Sequence, residues 1–140
     1  MSEVNAPRQK VIFLPPGGGR RYDMGGMQSI FFADEAETGA EYSISEWRLE
    51  PQTEGSGPHA HETEDDIFFV LEGVTTFWLD GKRQDAPAGS FIRVPAGVTH
   101  DFANLTDAPT RFLNLYIPGG FERDMPAIVD WFAKNPPAKG

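Results

Sequence analysis

The chain of 140 residues contains no cysteine. That excludes disulfides, thiolate metal ligands and a cysteine nucleophile, and it suits a reducing compartment. Histidine is scarce, with three in the whole chain. No stretch approaches the roughly 20 apolar residues of a membrane span. The opening MSEVNAPRQKVIFLPP lacks the long apolar core of a signal peptide. The expectation is a soluble, cytoplasmic protein with no membrane partner. Positive charge is also short. Twelve bases face 21 acids, for a net charge of −9. Nonspecific nucleic-acid binding needs a basic footprint that this balance does not supply.

Glycine (15) and proline (12) are plentiful, as in proteins built from many short strands joined by tight turns. Residues 1–10 read as a polar arm, and VIFL (11–14) as a short strand ended by PPGGG. The run GGGRR (17–21) lacks the Gly-Lys-Ser/Thr ending of a phosphate loop, so its glycines read as turn residues. SIFFA (29–33) and the alternating YSISEWRL (42–49) predict strands on either side of a polar loop, DEAETGAE (34–41). IFFVLEG (67–73) is apolar on both alternating faces and predicts a strand packed on both sides. VTTFWLD (74–80), GSFIRVPAG (89–97), HDFANLT (100–106) and TRFLNLYIP (110–118) continue the series, with DGKR (80–83) a hairpin signal. The pattern changes at the end. Phe121, Met125, Ile128, Val129 and Phe132 make one helical stripe over 122–134, with Asp124 as N-cap, Pro126 in the first turn and Asn135-Pro136-Pro137 as the stop.

A single all-β domain follows, a sandwich or barrel with one C-terminal helix. A small ligand would occupy the barrel mouth or the sandwich interior.

The three histidines carry the chemistry. His59 and His61 stand two apart in PHAHETEDDIFFVLEG. On a strand they would share a face roughly 6.5–7 Å apart, close enough to tilt onto one ion. The same spacing also decorates exposed loop edges. Asp66 lies an odd five positions on, but the polar run Glu62-Thr63-Glu64-Asp65 is a candidate bulge that resets the phase. Asp66, Phe68 and Val70 would then share the inner face. His100 follows the turn Pro95-Ala96-Gly97 and can enter the same cavity from a neighbouring strand.

Two motifs in this region resemble those of the small single-domain cupins. The first reads His59-Ala-His61, four residues, Asp66, six residues, Gly73. The second reads Gly89, five residues, Pro95-Ala96-Gly97, two residues, His100, three residues, Asn104, and is complete at every fixed position. The resemblance extends over about 28–118 of the single domain 1–140, leaving 1–27 as an arm. It implies a double-stranded β-helix (jelly-roll) barrel, often a homodimer, with one divalent metal near the mouth: iron, nickel, manganese, copper or zinc. The implied ligands are His59, His61 and His100, with Asp66 in the fourth place. There are two departures: Thr53 stands where the pattern's leading glycine would fall, and aspartate replaces glutamate at 66. The similar proteins include quercetin-dioxygenase-like enzymes, which favours a metal-dependent oxygenase acting on a small organic molecule. An oxygen-independent isomerase, cyclase or lyase on the same ligands, and a noncatalytic small-molecule binder, are the alternatives. Asp66 is the candidate general base. Phe68, Val70, Phe77, Phe91, Phe102, Tyr116 and Trp47 are candidates for an apolar and aromatic wall, Arg93 for an anion partner, and Asn104 for a brace of its turn.

Overall fold

The structure is a computed structural model and describes residues 10–136. Ten strands and a short C-terminal helix follow one another: β1 (Arg20–Asp23), β2 (Met27–Ala33), β3 (Ser43–Leu49), β4 (Thr53–Glu54), β5 (Asp65–Glu72), β6 (Val74–Leu79), β7 (Lys82–Pro87), β8 (Phe91–Val94), β9 (His100–Asn104) and β10 (Thr110–Ile117). They form two antiparallel sheets, ordered β1-β2-β3-β10-β5-β8 and β4-β9-β6-β7. Strands β2, β3 and β10 alternate buried and half-buried residues along their length. The inner faces of the two sheets meet over Phe31, Trp47, Leu49, Phe68, Val70, Phe77 and Phe112, all buried. This is the all-β barrel the alternation predicts.

The hairpin at DGKR forms as expected. Asp80 and Gly81 are its two turn residues, both at positive φ (54° and 82°), as a two-residue turn matched to strand twist requires. Asn104 braces its turn. Its amide donates to the carbonyls of Leu49, Glu50 and Ala108 and accepts from the backbone and hydroxyl of Thr106.

Several elements differ from the sequence expectation. Residues 11–14 are not a strand; Val11 and Phe13 stand almost fully in solvent. The sheet instead begins at Arg20, inside the segment assigned to the arm, because β1 pairs with β2 from Arg20↔Phe31 to Asp23↔Gln28. The remainder of the polar arm, residues 1–9, lies outside the described residues. The polar loop 34–41 contains a one-turn helix, α1 (Glu35–Thr38), with the Glu37 carboxylate accepting from the Asp34 backbone at 2.9 Å. The strand β5 is covered on its inner face only, and Phe69 on the outer face is 39% exposed.

The C-terminal stripe packs on its own barrel. A 3-10 turn (Phe121–Asp124) leads into α2 (Met125–Lys134). Met125 and Phe132 are buried, and Phe121, Ile128 and Val129 pack against the core. Asp124 makes no side-chain capping bond; the 3-10 turn supplies the entry to the helix instead. This segment is held by Asp34, which is 1% exposed. The Asp34 carboxylate accepts from Gly120 N and Glu122 N at 2.6 Å each. Arg20 bridges Glu122 (2.7 Å) and Glu37 (2.8 Å), and the Tyr22 hydroxyl donates to Glu122 at 2.7 Å. No helix among the described residues is long and apolar enough to cross a membrane.

Candidate metal centre

The strand starts and ends that meet at one rim of the barrel bring the histidines together. His59 forms an isolated antiparallel bridge with His100, each backbone N–H donating to the other's carbonyl at 2.9 and 2.8 Å. That pairing sets their rings 4.5 Å apart, centre to centre. Beyond it the chain bends at Glu62-Thr63 before β5 begins, which supplies the phase reset. Gly97 N donates to His61 O at 2.7 Å, so the Pro95–Gly97 turn clasps the His59–His61 segment. Gly97 has φ of 88°, a backbone state that suits glycine. Asp66 then enters from the second residue of β5, with its side chain inward beside Phe68 and Val70.

One donor atom from each of His59, His61, Asp66 and His100 lies within 4.8 Å of the others. Donors roughly 2.0–2.1 Å from a common ion are at most about 4.2 Å apart, so a contraction of well under 1 Å closes the set. The outer ring nitrogens are already committed. His59 Nδ1 bonds the Gly57 carbonyl at 2.9 Å and His100 Nδ1 the Val98 carbonyl at 3.0 Å. Such bonds fix the tautomer and present Nε2 inward. His61 Nε2 is buried with no hydrogen-bond partner; Asp66 Oδ2, at 3.5 Å, is too distant and ill-directed to serve. A buried imidazole nitrogen without a partner is costly, and a metal ion would satisfy it. The residues present therefore fit a divalent cation.

Electrostatics divide the histidines: His59 is held neutral, whereas without an ion His100 is held toward its charged form by Asp66. Burial lowers the pKa of His59 against the pull of the Gly57 carbonyl, which keeps the imidazole neutral and able to ligate. Burial also works against the charged form of His100, but its bonds to Asp66 and Val98 outweigh that, and its pKa is raised. Its Nε2 meets Asp66 Oδ2 at 2.9 Å. Burial, and then the Asp66 charge, drive the Tyr116 phenol well above its ordinary value.

The proposed wall is only partly at the site. Tyr116 is: it lies directly across from Asp66 in the β10–β5 pairing, and its ring sits 5.0 Å from that of His61. Phe68, Phe77 and Phe102 form a floor with Phe112, their ring centres 5.0–6.3 Å apart, and Phe68 touches the His100 ring. Val70 is fully buried in the core. Trp47 is core as well, its indole donating to Ser45 at 2.9 Å. Phe91 and Arg93 face outward, because β8 alternates and its inner residues are Ile92 and Val94. Phe91 is 65% exposed, and Arg93 pairs with Asp65 at 3.0 Å. Asp65 in turn accepts from Ala96 N at 3.1 Å. Arg93 thus steadies the turn that delivers His100, from behind.

Two site residues were missed by the sequence reading. Phe121, read as part of a helical stripe, stacks on Tyr116 (4.3 Å, 12°) and stands edge-on to His61 (5.9 Å). The Pro118-Gly119-Gly120 break after β10 is the clue that the chain turns back over the rim there. Asn114 donates through Nδ2 to Asp66 Oδ1 and to the Ile67 carbonyl.

Residues 45–116, just over half of the chain, match the family described as "Cupin domain". The chain belongs to the cupin family. It is similar to quercetin 2,3-dioxygenase of Bacillus subtilis, 36% identical over 64 residues, which cover 46% of this cupin and 19% of that enzyme. The cupin spans less than half the length of the curated relatives it matches. Among solved structures it is similar to KdgF from Halomonas sp. (TM-score 0.69, 19% identity, covering 81% of this cupin and 98% of that chain). It is also similar to a predicted oxalate decarboxylase from Thermotoga maritima (TM-score 0.67, 21% identity, covering 78% and 99%). These likenesses establish the barrel fold.

Proposed function

We propose that this cupin is a metal-dependent enzyme acting on a small organic molecule, and that its reaction is an oxygenation of the quercetin-dioxygenase kind. The convergence of three imidazoles and one carboxylate, with His61 Nε2 left buried and unpartnered, carries the reading. His59, His61, His100 and Asp66 would hold the ion. A redox-active divalent metal held there would supply Lewis-acid activation of an enol or phenol oxygen and access to dioxygen. The chain's own groups do the rest. Asp66 Oδ2, 2.9 Å from His100 Nε2, would serve as the ligand oxygen and take a substrate proton only on release from the ion. Tyr116, kept protonated by burial, can donate a hydrogen bond. The stacked Tyr116 and Phe121 rings offer a flat apolar surface beside His61 and exclude water. The partial identity with a quercetin dioxygenase supports the same chemistry.

The test is dioxygen uptake by protein reconstituted with iron(II), manganese(II), nickel(II), copper(II) or zinc(II) and given flavonols or small enols. Uptake matching substrate loss is expected with a redox-active ion. Equal turnover under argon would replace this reading with an isomerase, cyclase or lyase. The Asp66–His100 proton pair also suits that alternative. Ligand binding without turnover would make the protein a binding module.

We infer further that the protein pairs with a second copy through the outer face of its larger sheet. Cross-strand pairing places Ile44, Leu115 and Ile67 in one row, and Leu113, Phe69 and Phe91 in the next. This apolar centre is ringed by charges already paired within the chain, Arg93–Asp65 and Arg111 with Glu46 and Glu72. Two molecules of net charge −9 can meet there without facing like charges. Light scattering should give a dimer mass, and Leu115→Arg a folded monomer. A monomeric parent protein at tens of micromolar would end the idea.

A further inference from the structure

Aspartate at position 66 is one methylene shorter than glutamate, so the way its carboxylate is held decides what it can do. Asn114 supplies the hold. On β10 the inward residues are Thr110, Phe112, Asn114 and Tyr116. Asn114 lies across from Phe68 and diagonal to Asp66 on β5. It is 2% exposed. A buried amide between Phe112 and Tyr116 has a substantial desolvation cost unless it is bonded. Both bonds of its Nδ2 go to acceptors, Asp66 Oδ1 and the Ile67 carbonyl (3.1 Å). Two acceptors on one side fix the orientation of the amide, because only its nitrogen can donate to them.

The two carboxylate oxygens are thereby separated in role. Oδ1 is taken by Asn114. Oδ2 faces the imidazoles, 2.9 Å from His100 Nε2 and 3.5 Å from His61 Nε2. We propose that Asn114 is the positioning residue that makes Asp66 a one-oxygen ligand in this cupin. It occupies Oδ1 and aims Oδ2 at the ion. The proposal rests on the metal reading above. It carries a coupling between the two positions. A glutamate at 66 would carry its carboxylate past the point Asn114 reaches and crowd the imidazoles, and a smaller residue at 114 would give it room.

The test uses the full chain and cobalt(II) as probe, with affinity measured by chelator competition and ligand geometry by the cobalt visible spectrum. Asn114→Ala is expected to bind cobalt about tenfold to a hundredfold more weakly and to shift the spectrum as the carboxylate swings. Asp66→Glu is expected to weaken binding, and the double variant Asp66→Glu/Asn114→Ser to recover most of it. A merely structural Asn114 would lower the thermal midpoint of the metal-free protein and leave affinity and spectrum alone; that result overturns the proposal. Should the alanine variant fail to fold, Asn114→Ser is read in the same way. Parent protein that takes up no cobalt at all would overturn the metal reading and this proposal together, which sets it apart from failure of the coupling alone.

Discussion

His100→Ala should lower divalent-metal affinity by about a hundredfold or more, beyond the usual loss for a residue that only supports a ligand, while the barrel still folds. Nothing in the core depends on the ion. Phe31, Phe68, Phe77 and Phe112 are fully buried and close the space between the sheets by themselves. The His100 side chain is 1% exposed and partners Asp66, however, so its loss strips one hydrogen bond from a buried carboxylate. About 2–4 kcal/mol of stability should go with it. His59→Ala should cost as much metal affinity but less stability, because His59 is half-buried at the rim and its backbone bridge to His100 does not need the ring. Metal titration beside thermal denaturation separates the two effects. An unfolded His59→Ala protein would mean that the centre is structural.

Asp34→Ala should destabilise the protein by about 3 kcal/mol, from the loss of charged hydrogen bonds to two backbone donors. Gly120 N and Glu122 N would lose their acceptor, and Gly120 N is buried at the point where the chain leaves β10. The effect should be local before it is global. Residues 120–134 should exchange backbone hydrogens faster than the sheets do, because Asp34, with Arg20 and Tyr22, ties the start of this segment to the barrel. The same release would carry Phe121 off the Tyr116 ring and expose His61. Weaker flavonol binding with nearly unchanged metal affinity should accompany it. Asp34→Asn keeps one acceptor oxygen but sets its NH2 against the other backbone N–H, so it should recover only part of the loss. Unaltered exchange over 120–134 in the alanine variant would show that Phe121 and Met125 hold the segment by packing alone.

The outcome at each element follows from how local its cause is. Strands β2, β3 and β10 were legible because alternation is a property of neighbouring residues. The two-residue hairpin at Asp80-Gly81 was legible because positive φ selects those residue types. Strand β1 was not: RRYD has no apolar alternation, and it is a strand because β2 offers it a ladder. VIFL has the composition of a strand and no partner among the described residues, so composition alone misled. α1 is too short for a periodic signal.

The donor set belongs to the sequence. The motif resemblance implied His59, His61 and His100 with Asp66 in the fourth place, and the fold brings one donor atom of each to within 4.8 Å of the others. The candidate wall does not belong to it in the same way. Alternation says that Arg93 and Val94 face opposite ways, but not which of them faces in. That choice was made by β8 pairing with β5 at Asp66↔Val94. Asn104 could be read as a brace because Thr106 and Ala108 lie near in its own turn, although its bonds to Leu49 and Glu50 came only with the fold. Asn114 could not, because its partner is 48 residues away and nothing local marks a buried asparagine as the keeper of a carboxylate. Phe121 belongs by sequence to a helix and by structure to the site, because Asp34, 86 positions earlier, holds Gly120 in place. The sequence by itself determined the strand periods, which depend on short-range spacing, and marked the four candidate donors through their motif resemblance. Tertiary structure alone decided which faces turn inward, what steadies the carboxylate and what closes the rim, since those depend on contacts between segments far apart in the chain.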